Sequence, residues 1–231
     1  MVRKLCQRTG EKRQKPQQRI WEAAVNRDWD TVKELLQCDP SLITVTGTDD
    51  EYEISLLHLA IGKESDLKLV EYLVSLGADI HAQFNVREPD IDNNGKVRGY
   101  YTYPTPPSLH FAVIQDDTNI DILQYLVLQG SDINATANYG LTPLHCAAMY
   151  SYRMKTLEYL ISVGADIHAR DECGNTPLHY AAQWSFNDDI LKYLIAQGAD
   201  RNAINNDGMT PLDIANTEEK RYILRDAMVQ R

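Results

Sequence analysis

Four histidines recur along the chain and are the first candidates for a metal site: His58, His110, His145 and His179. Imidazole nitrogens are common zinc ligands, and a zinc ion needs its ligands within about 2 Å. Each histidine follows a leucine and stands two residues before an alanine, so the four occupy one position of a repeated segment; at the next such position the chain has Asp213. Ligands that lie a whole repeat apart do not meet around one ion. The pattern therefore predicts a structural role in each repeat and no metal site.

A second pattern with possible chemistry is the sequence D-x-D-x-N-G that begins at Asp90, which matches the first half of a calcium-binding loop. The twelfth position of such a loop needs a bidentate glutamate, but the chain has Tyr101 there. The same stretch contains Asn94-Gly95, a strong signal for a β-hairpin, because a type I′ turn needs positive φ at both central residues. We expect an inserted hairpin, with calcium binding through residues 90–101 as the less favoured alternative.

Motifs for catalysis and nucleotide binding are absent from the sequence: it has no Gly-rich dinucleotide or phosphate loop, no His-Glu-x-x-His and no Gly-x-Ser-x-Gly. The acidic pairs Asp116-Asp117 and Asp188-Asp189 fall in predicted turns between helices. Their negative charges there interact favourably with the positive N-terminal end of the helix dipole. The sequence therefore predicts a non-enzymatic protein with no cofactor and no small-molecule substrate.

The segments that carry the histidines repeat with a period of 34 residues. Gly-x-Thr-Pro-Leu-His/Asp begins at Gly140, Gly174 and Gly208, and weaker copies begin near Ser55 and Ser108. Such a period indicates a stacked-repeat architecture. In each unit Thr can cap a helix that begins at Pro, Leu and paired Ala can face the core, and a second helix with Tyr-Leu-Val/Ile can pack behind. Gly then ends the second helix in a left-handed conformation.

These motifs resemble those of the ankyrin repeat family over roughly residues 18–231 outside the insertion. The resemblance implies an all-α solenoid of stacked helix-turn-helix units with short β-hairpin loops and one inserted hairpin loop. It also implies that the recurring His braces the hairpin and the first helix by hydrogen bonds. The expected organisation is a disordered basic tail at 1–17 and repeats near 18–50, 51–83, 105–136, 137–170, 171–204 and 205–231, with the insertion at 84–104.

Partner-binding residues follow from the same resemblance, since partners of ankyrin repeats usually contact hairpin tips and the exposed face of the first helices. Mapped onto this sequence, with two tyrosines of the insertion added, the candidates are Asn138, Tyr139, Leu141, Met149, Tyr150, Glu172, Cys173, Asn175, Gln183, Trp184, Asn206, Asp207, Met209, Tyr100 and Tyr101. Several are large and apolar at positions that packing does not demand, which is typical of interface hot spots. We therefore expect a protein partner on the concave face.

The charge of the chain is unevenly placed. Residues 1–19 contain seven basic residues and one acidic residue, Glu11, for a net charge of +6. Because the whole chain has a net charge of −10, the remaining residues carry −16. An acidic body disfavours specific nucleic-acid binding and favours basic or neutral protein partners. The basic tail and the insertion also motivate an alternative, a bacterial or viral effector that mimics host ankyrin proteins.

Four cysteines without paired spacing predict free thiols and a reducing compartment, and apolar runs of only a few residues predict no membrane span. Together these features predict a cytoplasmic monomer, with delivery into a host cell as the alternative setting. One cysteine, Cys173, falls at a predicted hairpin tip, whereas Cys146 follows a repeated His and is expected to be buried.

Overall fold

In a computed structural model of the chain, the described residues are 15–49, 52–62, 66–83, 85–91, 97–104, 107–115, 120–150 and 154–226. Their helices are α1 (Pro16–Val25), α2 (Trp29–Cys38), α3 (Leu56–Ile61), α4 (Leu67–Ser75), α5 (Ser108–Ile114), α6 (Ile120–Leu128), α7 (Pro143–Tyr150), α8 (Met154–Ser162), α9 (Pro177–Trp184), α10 (Asp188–Ala196), α11 (Pro211–Ile214) and α12 (Glu218–Asp226). Their strands are β1 (Thr46–Asp49), β2 (Tyr52–Ser55), β3 (Asn85–Ile91) and β4 (Val97–Pro104).

The all-α repeat architecture expected from the sequence is confirmed by this succession of short helix pairs. The chain divides into two compact units, Met1–Ser108 (unit 1) and Leu109–Arg231 (unit 2).

Unit 1 begins with the helix pair α1 and α2. Asp28 caps α2 by accepting a hydrogen bond from the Thr31 N–H at 3.1 Å. The helix ends before Pro40, which opens a short 3-10 helix at Pro40–Thr44. The antiparallel strands β1 and β2 then lead into α3, whose N-cap is Ser55. At Gly47 a methyl group would lie 2.2 Å from the indole of Trp21, so the ring packs directly on the backbone.

The insertion forms the predicted hairpin, because β3 pairs antiparallel with β4 and Glu88 lies opposite Tyr101. The expected type I′ turn at Asn94-Gly95 lies outside the described residues. Asp90 and Tyr101 belong to the two paired strands and not to a loop between helices. This geometry does not support the calcium alternative, which needs a helix–loop–helix frame.

Unit 2 opens with the pair α5 and α6 and continues with three further pairs. The first helices α7, α9 and α11 pack side by side, and α8, α10 and α12 pack behind them. The Leu-and-Ala faces of α7 and α9 are fully buried, as Leu178, Ala181 and Ala182 of α9 show, whereas Leu212 of α11 is half-buried. Burial of one leucine side chain contributes about 1.5–3 kcal/mol to stability. Because one helix pair cannot cover its own apolar face, each pair depends on its neighbours for this contribution.

The last helix, α12, has one buried charged residue among exposed ones. Lys220 of α12 is only 2% exposed, and its Nζ donates a hydrogen bond to Asn216 Oδ1 at 2.9 Å. Its position places it four residues before the buried Leu224, on the face of α12 that packs toward α10 and α11. Burial lowers the pKa of Lys220, with partial compensation from Asp188.

The expected domain boundaries remain predictions. Helix α1 begins at Pro16, so it includes the last two residues of the expected basic tail, and residues 1–14 lie outside the described part of the chain.

Candidate functional site

Two recurring histidines of unit 2 each join a helix start to the loop of the following repeat. The backbone N–H of Thr142 donates to His145 Nδ1 at 3.1 Å, and His145 Nε2 lies 3.1 Å from the carbonyl oxygen of Asn175. The same pair of bonds joins His179 to the Thr176 N–H and to the carbonyl of Met209, both at 3.1 Å. We call this arrangement the histidine bridge. It confirms the bracing role that the resemblance implied.

The histidine bridge also fixes the protonation state of the imidazole. Because Nδ1 accepts a hydrogen bond from a backbone amide, the ring proton must sit on Nε2 and point at the carbonyl oxygen. Burial lowers the pKa of both His145 and His179, while the carbonyl partners act in the opposite direction. These rings are neutral structural donors, with no nitrogen open to a metal.

The third repeat lacks half of this bridge. His110 Nε2 lies 3.0 Å from the carbonyl oxygen of Leu141, but the buried Nδ1 has no hydrogen-bond partner among the residues that the structure describes. The hydroxyl of Ser108, also buried, has no partner either. Nδ1 of His110 lacks the partner that other repeats supply because Pro107 stands at the position of Ser55, Thr142 or Thr176. Proline offers neither a hydroxyl nor an N–H. Burial lowers the pKa of His110 to about 4.

Three loops of unit 2 form a row of hydrogen-bonded tips. Each is closed by a bond from its first backbone N–H to the carbonyl oxygen four residues later: Ala137 to Leu141 at 2.8 Å, Asp171 to Asn175 at 3.0 Å and Asn205 to Met209 at 3.0 Å. We call residues 137–141, 171–175 and 205–209 the first, second and third tip. These three tips are closed turns without assigned strands, whereas β1 and β2 of unit 1 form a short strand pair.

Backbone bonds also join each tip to the next. The Glu172 N–H donates to the carbonyl of Tyr139, and the Asn206 N–H donates to the carbonyl of Cys173, both at 2.9 Å. At Gly174 an added methyl would meet the backbone nitrogen of Asn206 at 3.0 Å, so the second and third tips are in close contact. The three tips of unit 2 therefore present their exposed side chains in a fixed order.

Polar side chains inside the tips hold this row together. Asn175, one of the predicted partner-binding residues, donates to Asp171 and accepts from Asn205 Nδ2 at 2.8 Å. Asn206, also predicted for binding, donates from its side chain to the carbonyl of Glu172 at 3.0 Å. The guanidinium of Arg170 donates to the carbonyl of Ile204 at 2.8 Å and to a carbonyl of its own tip. The sequence signal for these roles was the Asp or Asn at the first position of a tip, which favours a local turn.

The side chains that remain outward on the tips define one surface. Among the predicted residues, Tyr139, Glu172, Cys173, Asn206, Asp207 and Met209 are exposed, whereas Asn138 and Leu141 are half-buried. We call the six exposed residues the tip surface. Tyr139 is 65% exposed and has φ 61° and ψ 18°, a left-handed conformation that is uncommon for residues other than Gly, Asn and Asp.

The remaining predicted residues of unit 2 lie at the far end of the first helices. Trp184, the last residue of α9, is 52% exposed, Gln183 is exposed and Met149 is half-buried. Eight helical residues separate the tip from this end, a distance of roughly 10 Å. The side chain of Tyr150 and those of Tyr100 and Tyr101 lie outside the description of the structure.

One exposed aromatic residue was missed by the sequence analysis. Phe186 follows Trp184 by two residues in the turn between α9 and α10 and is strongly exposed. Ser185 and Asn187 bond to each other in this turn, whereas Asp188-Asp189, which the sequence placed in the turn, form the first residues of α10. The available signal was the presence of a large apolar residue in a predicted turn, where packing does not require one.

The described residues offer few groups for metal binding or thiol chemistry. Among the described residues no group of three His, Cys, Asp or Glu is arranged to hold a metal ion. Cys38 and Cys173 are exposed, and burial raises the pKa of Cys146 to about 12. Within the same ranges, no helix combines the length and the apolar character that crossing a membrane requires.

Comparison with known proteins agrees with this geometry. A family model described as ankyrin repeats in three copies matches residues 109–205 and 150–225, and a single ankyrin repeat matches residues 52–85. A search of curated proteins found no match. The matched residues include the tips, the first helices and the histidine bridges of unit 2. The chain belongs to the ankyrin repeat family.

Proposed function

We propose that the chain is a non-enzymatic protein-interaction module that binds a segment of a partner protein with the concave face of unit 2, across the tip surface and the exposed end of α9. Ankyrin repeats generally mediate protein–protein interaction, and the family is typically a non-enzymatic scaffold. The tip surface supplies the exposed groups that such a contact needs.

The observation that carries the proposal is the state of Tyr139. A left-handed conformation costs a residue other than glycine roughly 1 kcal/mol, and an exposed ring gains little of it back by packing within the fold. The next residue, Gly140, shares the left-handed backbone with φ 74°, so the turn itself asks for Gly or Asn at both positions. The turn does not require a tyrosine at this position, and the ring is 65% exposed. Contact with a partner explains the choice of residue better than the turn does.

Trp184 provides the second anchor. Its indole is half-exposed at the end of a rigid helix, and tryptophan and tyrosine are the residue types most enriched in binding hot spots. A segment that reaches from Tyr139 to Trp184 covers the tips and the length of one first helix. That distance suits a peptide of a few extended residues, because an extended chain advances about 3.3 Å per residue.

The experiment compares capture of proteins from a native lysate by the wild type and by three variants, with mass spectrometry as the readout. Tyr139→Ala and Trp184→Ala are expected to lose the same partner. Tyr222→Ala is the matched control, because Tyr222 is 62% exposed on α12, away from the tips. If the two test variants capture the same proteins as the control, this surface does not bind the partner. Thermal denaturation of all four proteins shows whether the repeats remain folded.

A further inference from the structure

We infer that the segment bound by the tip surface is basic: an extended peptide that carries lysine or arginine beside an apolar or aromatic anchor. This inference rests on the proposed function, because it names the chemistry of the partner for the same surface. The observations that carry it are the charges of the tips, their hydrogen bonds and the position of Tyr139 beside Glu172.

The binding side of unit 2 carries almost only negative charge. Residues 136–150, 170–184 and 204–214 comprise the tips and the first helices α7, α9 and α11. Their charged residues are four carboxylates and one guanidinium: Arg170, Asp171, Glu172, Asp207 and Asp213. A partner segment that lies along these helices therefore meets an anionic surface.

The single cation on this side is used within the fold. Arg170 donates hydrogen bonds to the carbonyls of Gly174 and Ile204 at 3.1 and 2.8 Å, which holds the guanidinium against the second and third tips. Asp171 is likewise engaged, because it is buried and accepts bonds from Asn175 and from the Tyr180 hydroxyl.

Two carboxylates remain available to a partner. Glu172 and Asp207 are exposed on successive tips, and the ion pairs found among the described residues involve neither of them. Asp213 lies nearby on α11, where hydrogen bonds from Thr210 lower its pKa and keep it ionised. These groups form an acidic line along the second and third tips.

The cations of unit 2 that the structure describes lie elsewhere. Apart from Arg170 and Arg201, they are on the second helices α8, α10 and α12: Lys155, Lys192, Lys220, Arg221 and Arg225. Acidic residues are mixed with them there, and Lys192 pairs with Asp189 at 3.1 Å. The second helices thus have a balanced surface, whereas the tips have an acidic one.

The tips also place an aromatic ring beside a carboxylate. The Glu172 N–H donates to the carbonyl of Tyr139 at 2.9 Å, which makes these two residues direct neighbours on successive tips. Both side chains are exposed. A lysine or arginine of the partner can then pair with the carboxylate while its charge lies against the face of the tyrosine ring. This pair is the position at which we expect the basic residue to bind.

A displayed library of random 12-residue peptides tests the inference with the full chain as bait. The expected result is enrichment of peptides with a net positive charge and an aromatic or aliphatic residue. Synthetic copies should lose at least tenfold in affinity for the Glu172→Gln/Asp207→Asn variant and for Tyr139→Ala. The matched variant Glu158→Gln/Asp189→Asn changes the net charge equally on the second helices and should lose less than twofold.

The possible outcomes separate the inference from the proposed function. Neutral or acidic peptides that still depend on Tyr139 and Trp184 would overturn the basic-segment inference and leave the proposed surface standing. Basic peptides that lose affinity equally for both charge variants would show a non-specific attraction to the acidic chain and would also overturn the inference. Enrichment of no peptide, or of peptides indifferent to Tyr139 and Trp184, would count against both.

Discussion

At the residue scale, the two ring nitrogens of His145 and of His179 join the first helix of a repeat to its own N-terminal threonine and to the next tip. Each Nδ1 accepts from the N–H of the threonine at the helix start, and each Nε2 lies at hydrogen-bond distance from the carbonyl of the next tip. A buried donor or acceptor that loses its partner costs about 1–3 kcal/mol, so both bonds matter. His110 shows the arrangement with one bond missing.

A hydroxyl partner for His110 Nδ1 should stabilise the third repeat. Pro107→Thr introduces a hydroxyl and an N–H three residues before His110, as in the fourth and fifth repeats. Pro107→Val gives the same backbone and nearly the same shape without the hydroxyl. We expect the threonine variant to exceed the valine variant by about 1 kcal/mol in the free energy of unfolding, measured by urea denaturation. Equal stabilities would show that the hydroxyl does not reach His110.

Tyr139 separates binding from stability at a single residue. Tyr139→Asn supplies a residue that tolerates left-handed φ, so the free energy of unfolding should stay the same or rise by up to about 1 kcal/mol. Partner binding should fall at least tenfold, because the exposed ring is lost. Denaturation and titration of the same sample test both statements. A clear loss of stability would mean that the ring packs within the fold.

At the element scale, the tips behave as one bonded row. The second tip is tied to the third by backbone and side-chain bonds and to the first through the Glu172 N–H. Loops with such bonds present their side chains with little loss of entropy on binding, which favours affinity for a partner segment.

Two equivalent glycines measure the contact between tips. Gly174 and Gly208 have φ near +77°, so alanine at either position suffers the left-handed backbone, about 1 kcal/mol. Only at Gly174 would the added methyl meet Asn206, at 2.6 Å from Oδ1, whereas Gly208 has open space. Gly174→Ala should therefore lower the free energy of unfolding by about 1–2 kcal/mol more than Gly208→Ala. Equal losses in thermal or urea denaturation would contradict close packing of the tips.

The elements were predictable from the sequence where a local rule decides them. The Thr-Pro helix starts, the glycine after each second helix and the pairing of the inserted strands all follow from residue type and spacing. Features set by tertiary contacts were not predictable. Lys220 is buried because of the helices around α12, and Tyr139 takes its φ from the tip that encloses it. Which asparagines serve the fold and which face a partner depends on contacts about 30 residues apart.

At the scale of the whole molecule, the buried histidines make stability depend on pH. The pKa of His110 is about 4 in the fold against 6.5 for a free histidine, and the pKa values of His145 and His179 are lowered too. A group with a lowered folded-state pKa contributes its full stability above pH 6.5 and loses it as the pH falls toward the folded-state pKa, because the unfolded chain takes up the proton first.

Urea denaturation from pH 7.5 to pH 4.5 should therefore show a steady loss of stability. His110 alone accounts for a loss on the order of 3 kcal/mol in the free energy of unfolding by the time the pH falls to its folded-state pKa. His110→Gln removes this contribution, so its stability should change less over the same range. A wild type and a variant with parallel pH dependence would show that His110 takes up a proton in the folded state as readily as in the unfolded one.

The central claim is that Tyr139 and Trp184 anchor one partner segment on unit 2. Its most direct test is calorimetric titration of one basic 12-residue peptide, selected on the full chain, into the wild type, Tyr139→Ala, Trp184→Ala and Tyr222→Ala at a single salt concentration. We expect at least a tenfold loss of affinity for Tyr139→Ala and Trp184→Ala and less than a twofold change for Tyr222→Ala, with unchanged thermal denaturation. Equal affinity for all four proteins would contradict it.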